Sequence, residues 1–291
     1  MRVYKKMKNI AILITCYNRK ETTLNCLKNI YELDKSDDVG LDIFIVDGGS
    51  SDGTPKEVSH LYPDVKIEVS EGLYWAGGMR RAWKNAISFR NYDYYWLLND
   101  DTSIYADCLK RLLWADSFSM SNFGKHGLYT GCTKSPTTGI VTYGAKILFN
   151  KYRLRGKLVS PSETEYQDCD LCNGNILFVP KEIYEECGIL NEKYTHGVAD
   201  WDYSLRVKQK GYPVLVLPGY LGECERDHGK GYLPQSSSIK ERIKYLDSPK
   251  GLAYNDFMYF TKEFFPKDYY PQKIRFWIKT LFPVIYDLIK K

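Results

Sequence analysis

The stretch "YDYYWLLNDDT", residues 92–102, joins an apolar run to two adjacent acids, Asp100 and Asp101. The apolar part predicts a buried strand. Carboxylates are rarely tolerated beside such a strand unless they are paired, hydrogen-bonded or bound to a cation. Two interpretations stay open at this point: the acids hold a cation, or they cap a helix that starts near Tyr105.

The segments on both sides of this stretch alternate between continuous apolar runs and helical patterns. That alternation is typical of βαβ units and predicts an α/β fold with a mostly parallel central sheet flanked by helices. We found no repeat and no evident linker, so we predict one continuous domain over residues 1–235 and a helical C-terminal extension over residues 236–291. The predicted strands are 8–15, 41–46, 65–70, 92–98, 175–180 and 212–218, and the predicted helices include one from about Thr54, 79–89 and 199–211.

Charge and cysteine content exclude several classes of protein. The formal net charge is +5, without a dense basic stripe or a recognisable nucleic-acid module, so a nucleic-acid partner is disfavoured. No apolar run approaches the roughly 18 residues of a membrane-spanning helix. The eight cysteines are scattered, and Cys169-x-x-Cys172 lacks a second pair, so we expect reduced cytosolic thiols and no structural zinc.

The C-terminal sequence "YYPQKIRFWIKTLFPVIYDLIKK" mixes apolar and basic residues and is interrupted by Pro283. Residues 238–291 contain 11 Lys/Arg and 6 Asp/Glu, which accounts for the whole net charge. Such a segment suits an anionic membrane surface, with Phe276, Trp277, Leu281 and Phe282 inserted at the headgroups. The alternative is a terminal helix packed on the body of the protein. The membrane-surface interpretation predicts a cytoplasmic enzyme attached peripherally to the inner face of the plasma membrane.

Three polar clusters follow predicted strands: "TCYNR", "DGGSSDGT" and "NDDT". Parallel α/β sheets bind ligands at the carboxyl ends of their strands, so these clusters predict one site. The turn after the first strand has no glycine, and the chain has no P-loop, which disfavours a dinucleotide-binding dehydrogenase. A bound diphosphate then needs another counter-charge, which Mg²⁺ or Mn²⁺ held by carboxylates provides.

Four segments in order resemble the inverting family 2 glycosyltransferases with the GT-A nucleotide-diphospho-sugar transferase fold: "ILITCYNRKETTLNCLKNI", "DIFIVDGGSSDGT", "YDYYWLLNDDT" and "VADWDYSLRVKQKGY". With "EGLYWAGGMRRAW", the chain looks most like the bacterial branch that includes rhamnosyltransferases of surface polysaccharide assembly. The resemblance covers roughly residues 8–220. It implies metal-dependent transfer of a hexosyl or deoxyhexosyl group, with inversion, from a nucleoside-diphosphate sugar to an acceptor hydroxyl. The expected acceptor is a lipid-linked saccharide.

The resemblance also implies roles for individual residues. Gly48 stands where the family commonly has a second acid that helps to read the base, so the nucleobase is not identified. The implied roles are a nucleotide pocket lined by Thr15, Tyr17 and Arg19; Asp47 beside the base or ribose; Asp100 at the ribose or a metal-bound water; Asp101 as the direct metal ligand; Arg80 or Arg81 at the donor sugar or its phosphates; and Asp200 as the catalytic base.

Asp200 and Asp202 lie near the start of one predicted helix, where either acid could simply favour the helix dipole. Asp202 precedes Arg206 by four residues, a spacing that lets the two side chains pair on the surface. Asp200 has no such partner, so Asp200 is the predicted base and Asp202 the alternative. Trp201 is either a core residue or a platform for the acceptor.

Three further residues have two interpretations each. His228 completes the metal shell or is solvated, and Arg242 and Lys250 clamp a phosphate or are solvated helix charges. Asp52 is expected to be structural. Two competing functions are a non-catalytic carbohydrate-binding or assembly subunit and a nucleotidyltransferase, although the latter would need a glycine- and arginine-rich loop where "TCYNRKE" stands.

Overall fold

The computed structural model describes residues 7–226 and 231–285, so His228 lies outside the described residues. Its strands are β1 (Lys8–Cys16), β2 (Val39–Asp47), β3 (Lys66–Val69), β4 (Tyr94–Leu98), β5 (Ser103–Ile104), β6 (Leu128–Lys134), β7 (Val141–Tyr143), β8 (Ala145–Leu148), β9 (Gly156–Leu158), β10 (Gln167–Asp168), β11 (Leu171–Cys172), β12 (Ile176–Pro180) and β13 (Val214–Glu223). Its helices are α1 (Lys20–Tyr31), α2 (Thr54–Leu61), α3 (Trp75–Phe89), α4 (Cys108–Phe123), α5 (Lys181–Cys187), α6 (Ala199–Gln209), α7 (Ile239–Asp247), α8 (Tyr254–Phe264) and α9 (Tyr269–Leu281), with a 3₁₀ turn at Pro266–Asp268.

The central sheet has the strand order β10-β13-β6-β12-β4-β1-β2-β3, with β5 paired to β13 and β7 paired to β6. Strands β3, β2, β1 and β4 are mutually parallel, and β6 and β13 run in the same direction. Strands β12 and β10 are antiparallel to their neighbours. The prediction of a mostly parallel α/β sheet is therefore confirmed along this path, with β12 as the reversed strand in its middle.

Both faces of the sheet are covered, which explains the continuous apolar runs. Successive side chains of a strand point to opposite faces. Leu13 of β1 belongs to the buried cluster that contains Trp83 of α3. Its neighbour Ile12 belongs to the cluster on the other face, with Leu27 of α1. A strand buried in this way shows no apolar–polar alternation.

The reversed strand β12 brings a third segment to the edge where the parallel strands end. Ile176, the first residue of β12, lies opposite Leu98, the last residue of β4. Residues 173–175 therefore lie beside the acids that follow β4. The backbone N–H of Asn99 donates to the carbonyl of Asn175 over 3.2 Å, which fixes the two segments together.

A second, three-stranded sheet has the order β11-β8-β9 and was not predicted. Its strands contain two to four residues each, which is too short for a periodic pattern to indicate them.

The C-terminal helices α7, α8 and α9 pack together around Leu246, Met258 and Phe276. Phe276 is 7% exposed, so the expectation that it inserts into a membrane is wrong. Phe282 is 53% exposed, and α9 ends at Leu281, ahead of Pro283 as expected. Within the described ranges, no helix has the length and hydropathy needed to cross a bilayer.

Arg242 joins α7 to the end of α9. Its Nη1 donates to the carbonyls of Thr280 and Leu281, each over 3.1 Å, and the residue is buried. Arg242 is therefore neither a solvated charge nor a phosphate ligand, and both earlier interpretations are wrong. It satisfies carbonyls that the helix end leaves without a partner inside the helix.

Candidate active site

The loops that follow β1 and β2 are joined by hydrogen bonds. Asn18, with a φ of 51°, accepts the backbone N–H of Ser51 over 2.8 Å and donates its own N–H to the hydroxyl of Ser50 over 2.7 Å. Asparagine tolerates this left-handed conformation better than most residues. Asp52 accepts the N–H of Lys20 over 2.9 Å, so Asp52 is structural, as expected.

Asp47 is fully buried at the end of β2. Its carboxylate accepts the N–H groups of Gly49 and Ser50 over 2.9 and 2.6 Å and the hydroxyl of Ser50 over 2.6 Å. These bonds fix the turn. Thr15 similarly donates its hydroxyl to the carbonyl of Val46 over 3.1 Å. Contacts of Asp47 and Thr15 with a nucleotide stay predictions.

Tyr17 projects from the same edge and is 45% exposed. The Nζ of Lys250 lies 4.3 Å from the centroid of its ring, an arrangement that favours a cation over an aromatic face. Gly48 leaves room for the ring, since a Cβ at this position would lie 3.3 Å from Tyr17 Cδ2. The C-terminal extension therefore reaches the predicted nucleotide pocket at Lys250.

Asp100 and Asp101 follow β4 and both contact Arg19. Arg19 Nη1 lies 3.4 Å from Asp100 Oδ1 and 2.5 Å from Asp101 Oδ2. Burial, followed by the neighbouring charge of Asp101, raises the pKa of Asp100 to about 7. The alternative that these acids cap a helix near Tyr105 is wrong, because α4 begins only at Cys108.

The raised pKa of Asp100, which is buried beside a second carboxylate, indicates that the site has too little positive charge to keep both acids ionised. Arg19 supplies part of that charge, and the adjacent oxygens have the chemistry that Mg²⁺ or Mn²⁺ prefers. Cys224, at the end of β13, lies nearby, with its Sγ 3.6 Å from Asp101 Oδ1. In residues 7–226 and 231–285, no group of three or more His, Cys, Asp and Glu side chains forms a complete cage. The residues present therefore fit a divalent cation whose remaining ligands come from elsewhere, as in sites shared with phosphates.

Asp200 lies in the first turn of α6, and the protein holds its carboxylate through two backbone groups. The N–H groups of Gly174 and Trp201 each donate to it over 2.9 Å. Burial raises the pKa of Asp200 to about 6, whereas these hydrogen bonds lower it. Because Gly174 lies just before β12, Asp200 is attached to the same sheet edge as Asp100.

Asp202 has a structural role. It is 1% exposed, and its carboxylate contacts Arg206 Nε over 2.7 Å and the hydroxyl of Tyr194 over 3.1 Å. The predicted pairing with Arg206 is confirmed, but the prediction that it lies on the surface is wrong, because the acid turns inward from α6. Because Asp202 is buried and neutralised by an ion pair with Arg206, it is not available to an acceptor hydroxyl, which favours Asp200.

Trp75 connects the segment that bears Asp100 and Asp101 with the segment that holds Asp200, and this role was not predicted from the sequence. Its indole Nε1 donates to Asn99 Oδ1 over 2.7 Å, next to Asp100. Its ring packs on Gly174, where a Cβ would lie only 2.2 Å from Trp75 Cζ2. Glycine at position 174 thus lets one rigid side chain contact both the segment that bears the acids and the segment that holds Asp200. The available signal was Trp75 itself, within "EGLYWAGGM".

Arg80 and Arg81 have protein partners. Arg80 Nη1 donates to the carbonyls of Asn191 and Tyr194 over 3.0 and 2.8 Å, and Arg81 Nε bonds both oxygens of Glu68. Both arginines line a pocket of about 470 Å³. That either arginine contacts the donor sugar or its phosphates stays a prediction. To do so, Arg80 would have to give up its hydrogen bonds to the loop that precedes α6.

Trp201 packs in the interior and also lines a cleft, so its role as a platform for the acceptor stays a prediction. Its ring packs edge to face on Phe257, with centroids 6.5 Å apart, and it lines a cleft of about 340 Å³ beside the three-stranded sheet. The C-terminal extension also fixes the loop before α6, because Asp256 accepts the N–H groups of Thr195 and His196 over 2.8 Å each.

Comparisons with known proteins agree with this architecture. Residues 11–115 match the family Glycosyl transferase family 2. Two solved structures share the fold: the mannosyltransferase PcManGT from Pyrobaculum calidifontis in complex with GDP-Man and Mn²⁺ (19% identity, TM-score 0.52, 84% of this chain and 62% of that one) and S. aureus TarS 1-349 (14% identity, TM-score 0.51, 74% and 59%). The chain has the GT-A fold predicted for it, with C-terminal helices.

A curated relative is poly-beta-1,6-N-acetyl-D-glucosamine synthase of Staphylococcus epidermidis, which is 27% identical over 160 residues. The alignment covers 53% of this chain and 32% of the relative, so the chain spans about a third of the length of that protein. The family match covers the segment that contains Arg19, Asp100 and Asp101, and Asp200 lies outside it. A special closeness to rhamnosyltransferases is not among these similarities.

Proposed function

We propose that the chain is an inverting, metal-dependent glycosyltransferase that moves a hexosyl or deoxyhexosyl group from a nucleoside-diphosphate sugar to a hydroxyl of a saccharide. One observation carries the proposal. Trp75 contacts both Asn99, beside the paired acids, and Gly174, which holds Asp200. A cation held by the paired acids and a base at Asp200 would then lie on one sheet edge, where the cation would stabilise the leaving diphosphate and the base would take up the acceptor's proton.

Asp101, which is more exposed than Asp100, would be the direct ligand of Mg²⁺ or Mn²⁺. A cation held there would supply positive charge to the leaving nucleoside diphosphate, a Lewis-acid role. Asp100 would face the ribose or a metal-bound water. Arg19, already bonded to both acids, would lie beside the phosphates, with Tyr17 further along the nucleotide pocket.

Asp200 would act as the general base. Its raised pKa, about 6, leaves it largely ionised at neutral pH while making it a better proton acceptor than an ordinary carboxylate. It would take the proton from the acceptor hydroxyl as the oxygen attacks the anomeric carbon opposite the leaving group. This single displacement inverts the anomeric centre and requires no nucleophile from the protein.

The acceptor would be lipid-linked and the enzyme peripheral on the inner face of the plasma membrane. Support comes from α9 and the residues after it, where Ile274, Phe282, Val284 and Ile285 are exposed while Phe276 packs inward. Lys273 and Arg275 are exposed on the same helix. An apolar surface with interspersed cations favours an anionic bilayer. The role in surface polysaccharide synthesis accords with the curated relative.

The test is a panel of nucleotide sugars, with release of nucleoside diphosphate measured in Mn²⁺ and after chelation. The proposal predicts metal-dependent release that an acceptor accelerates. Two other functions predict different results. An assembly subunit would bind a saccharide without any release, and a nucleotidyltransferase would instead form pyrophosphate from a sugar phosphate and a nucleoside triphosphate.

A further inference from the structure

The cleft beside Asp200 has a composition that indicates what kind of acceptor it takes. Lys146 and Leu148 are two residues apart on β8 of the three-stranded sheet and therefore point to the same face of that sheet. Leu171 lies opposite Lys146, and Gly156 lies opposite Leu148. All four line the cleft, so its floor is one face of this sheet.

The opposite wall is Trp201, the neighbour of Asp200 in α6. Lys146 Nζ lies 4.1 Å from the centroid of the Trp201 ring. The rim is formed by the connection from β8 to β9, where Phe149 is 68% exposed and Arg155 also lines the cleft. The cleft therefore offers aromatic surface, on which sugar rings and alkyl chains pack, and its lining includes the residue that follows the proposed base in α6.

The charged groups of the cleft are cations. Its lining residues within the described ranges include Lys146 and Arg155 and no acid. Neither side chain forms an ion pair with any residue of 7–226 or 231–285. Burial lowers the pKa of the Lys146 amine, Asp200 opposes this shift, and Arg226 adds to it. The Trp201 ring stabilises this half-buried ammonium only in part, and an anionic ligand would supply the negative charge that no residue lining the cleft provides.

We propose that this cleft is the acceptor subsite and that it selects a negatively charged acceptor, with Lys146 and Arg155 binding its phosphate or carboxylate. The inference rests on the proposed function, since it takes Asp200 as the base that the acceptor must reach. The sugar ring would pack on the aromatic lining beside Lys146, and the anionic group would lie between Lys146 and Arg155, toward the β8–β9 connection. The negative charge has two chemical sources, a lipid phosphate or an acidic sugar.

The experiment measures binding to the full chain by calorimetry, with three probes that share an octyl group. Octyl glucuronide carries a carboxylate on the sugar, N-acetylglucosaminyl octyl phosphate carries a phosphodiester, and octyl glucoside is neutral. We expect one or both anionic probes to bind at least tenfold more tightly than the neutral probe, and the tighter one identifies the source of the charge. Equal affinity of all three probes would overturn the inference.

The double variant Lys146→Met/Arg155→Met should reduce the affinity for the anionic probe to that for the neutral probe. The matched control is Lys157→Met, because Lys157 is exposed on β9 opposite Ile147 and therefore points to the other face of the small sheet. Preference that survives the double variant, or that disappears equally in the control, contradicts the assignment.

Salt provides a readout that needs no variant. Raising the salt from about 0.1 to about 1 M shortens the Debye length from about 10 to about 3 Å and should weaken only the anionic probes. Nucleoside diphosphate release, measured in parallel, separates the two proposals. Charge-dependent binding without release from any nucleotide sugar would reject the proposed function alone, whereas release without charge preference would reject this inference alone.

Discussion

Arg19 Nη1 lies 2.5 Å from Asp101 Oδ2, so a guanidinium from the loop after β1 contacts the carboxylate that we propose as the direct metal ligand. The same Nη1 lies 3.4 Å from Asp100 Oδ1. A cation bound by Asp101 would therefore compete with Arg19 for its oxygen when no diphosphate is bound. With phosphate oxygens present, both positive groups would have a second partner.

This competition predicts that Arg19→Met tightens Mn²⁺ binding to the nucleotide-free protein by up to about fivefold, the equivalent of the ~1 kcal/mol upper range for a solvent-accessible ion pair. The same variant should weaken nucleoside diphosphate binding. Calorimetric titration of each ligand checks both effects. Arg90→Met is the matched control, because Arg90 follows the C-terminal end of α3 and pairs with Asp42 instead of with the acids. Weaker Mn²⁺ binding in Arg19→Met would show that no competition exists.

Asp200→Asn should slow sugar transfer by roughly 10²–10⁴-fold, the usual contribution of a general base, while nucleoside diphosphate binding stays within about twofold. Asp202→Asn should instead lower the free energy of unfolding by about 3 kcal/mol, since it leaves Arg206 without its charged partner. Urea unfolding and single-turnover transfer distinguish the two variants. If Asp202→Asn removes transfer without loss of stability, the base has been assigned to the wrong carboxylate.

The raised pKa of Asp200 predicts an acid limb in the pH profile. The base works only when ionised, and its pKa is about 6 instead of 3.8, so transfer should fall as the pH drops through about 6. Below that value the rate should decrease tenfold per pH unit, and above it the profile should be flat because saturating Mn²⁺ would keep Asp100, whose pKa is about 7 without metal, ionised. The rate constant at saturating donor and Mn²⁺ is the quantity to measure. A flat profile down to pH 4.5 would be inconsistent with Asp200 as the base.

Asp256→Ala should affect catalysis through the loop that precedes Asp200. The substitution removes the acceptor of the N–H groups of Thr195 and His196, and each of these partly exposed hydrogen bonds contributes about 0.5–1.5 kcal/mol. We expect lower thermal stability and a reduced rate constant for transfer, with little change in nucleotide affinity. Glu263→Ala, an exposed residue of the same helix α8, is the control and should change neither quantity.

Membrane association should depend on the exposed face of the C-terminal segment. The variant Ile274→Ser/Phe282→Ser/Val284→Ser removes exposed apolar groups while keeping Phe276 and the contacts of Arg242. The full chain should float with anionic liposomes at low salt, and this variant should not. Ile140→Ser, which removes an apolar group that is 66% exposed elsewhere, is the control. Equal flotation of the variant and the unmodified chain would reject this surface as the membrane contact.

Strands β1, β2 and β4 were predictable because both faces of each are buried, which leaves an uninterrupted apolar run in the sequence. The position of Asp100 and Asp101 followed from the end of β4. The reversal of β12 was not predictable, since a strand reads the same in either direction. Because β12 is reversed, its first residue lies opposite the last residue of β4, and Gly174 therefore lies near the acids that follow β4.

The contacts that organise the candidate site were also beyond sequence reasoning. Trp75 and Asn99 are separated by 24 residues, and Gly174 and Asp200 by 26, so only the assembled sheet brings each pair together. Asp202 was different, because its pairing with Arg206 is local to one helix and could be predicted from spacing. Lys146 lies on a strand too short to show a pattern.

The most direct test of the proposed function is calorimetric binding of nucleoside diphosphates, with and without Mn²⁺, to the unmodified chain and to Asp101→Asn. Asp107→Asn is the control, since Asp107 is an exposed acid just before α4. We predict Mn²⁺-dependent binding of at least one nucleoside diphosphate that is retained in Asp107→Asn and lost in Asp101→Asn. Equal Mn²⁺-dependent binding in Asp101→Asn, or binding that needs no metal in any of the three proteins, would contradict the proposed metal-dependent donor site.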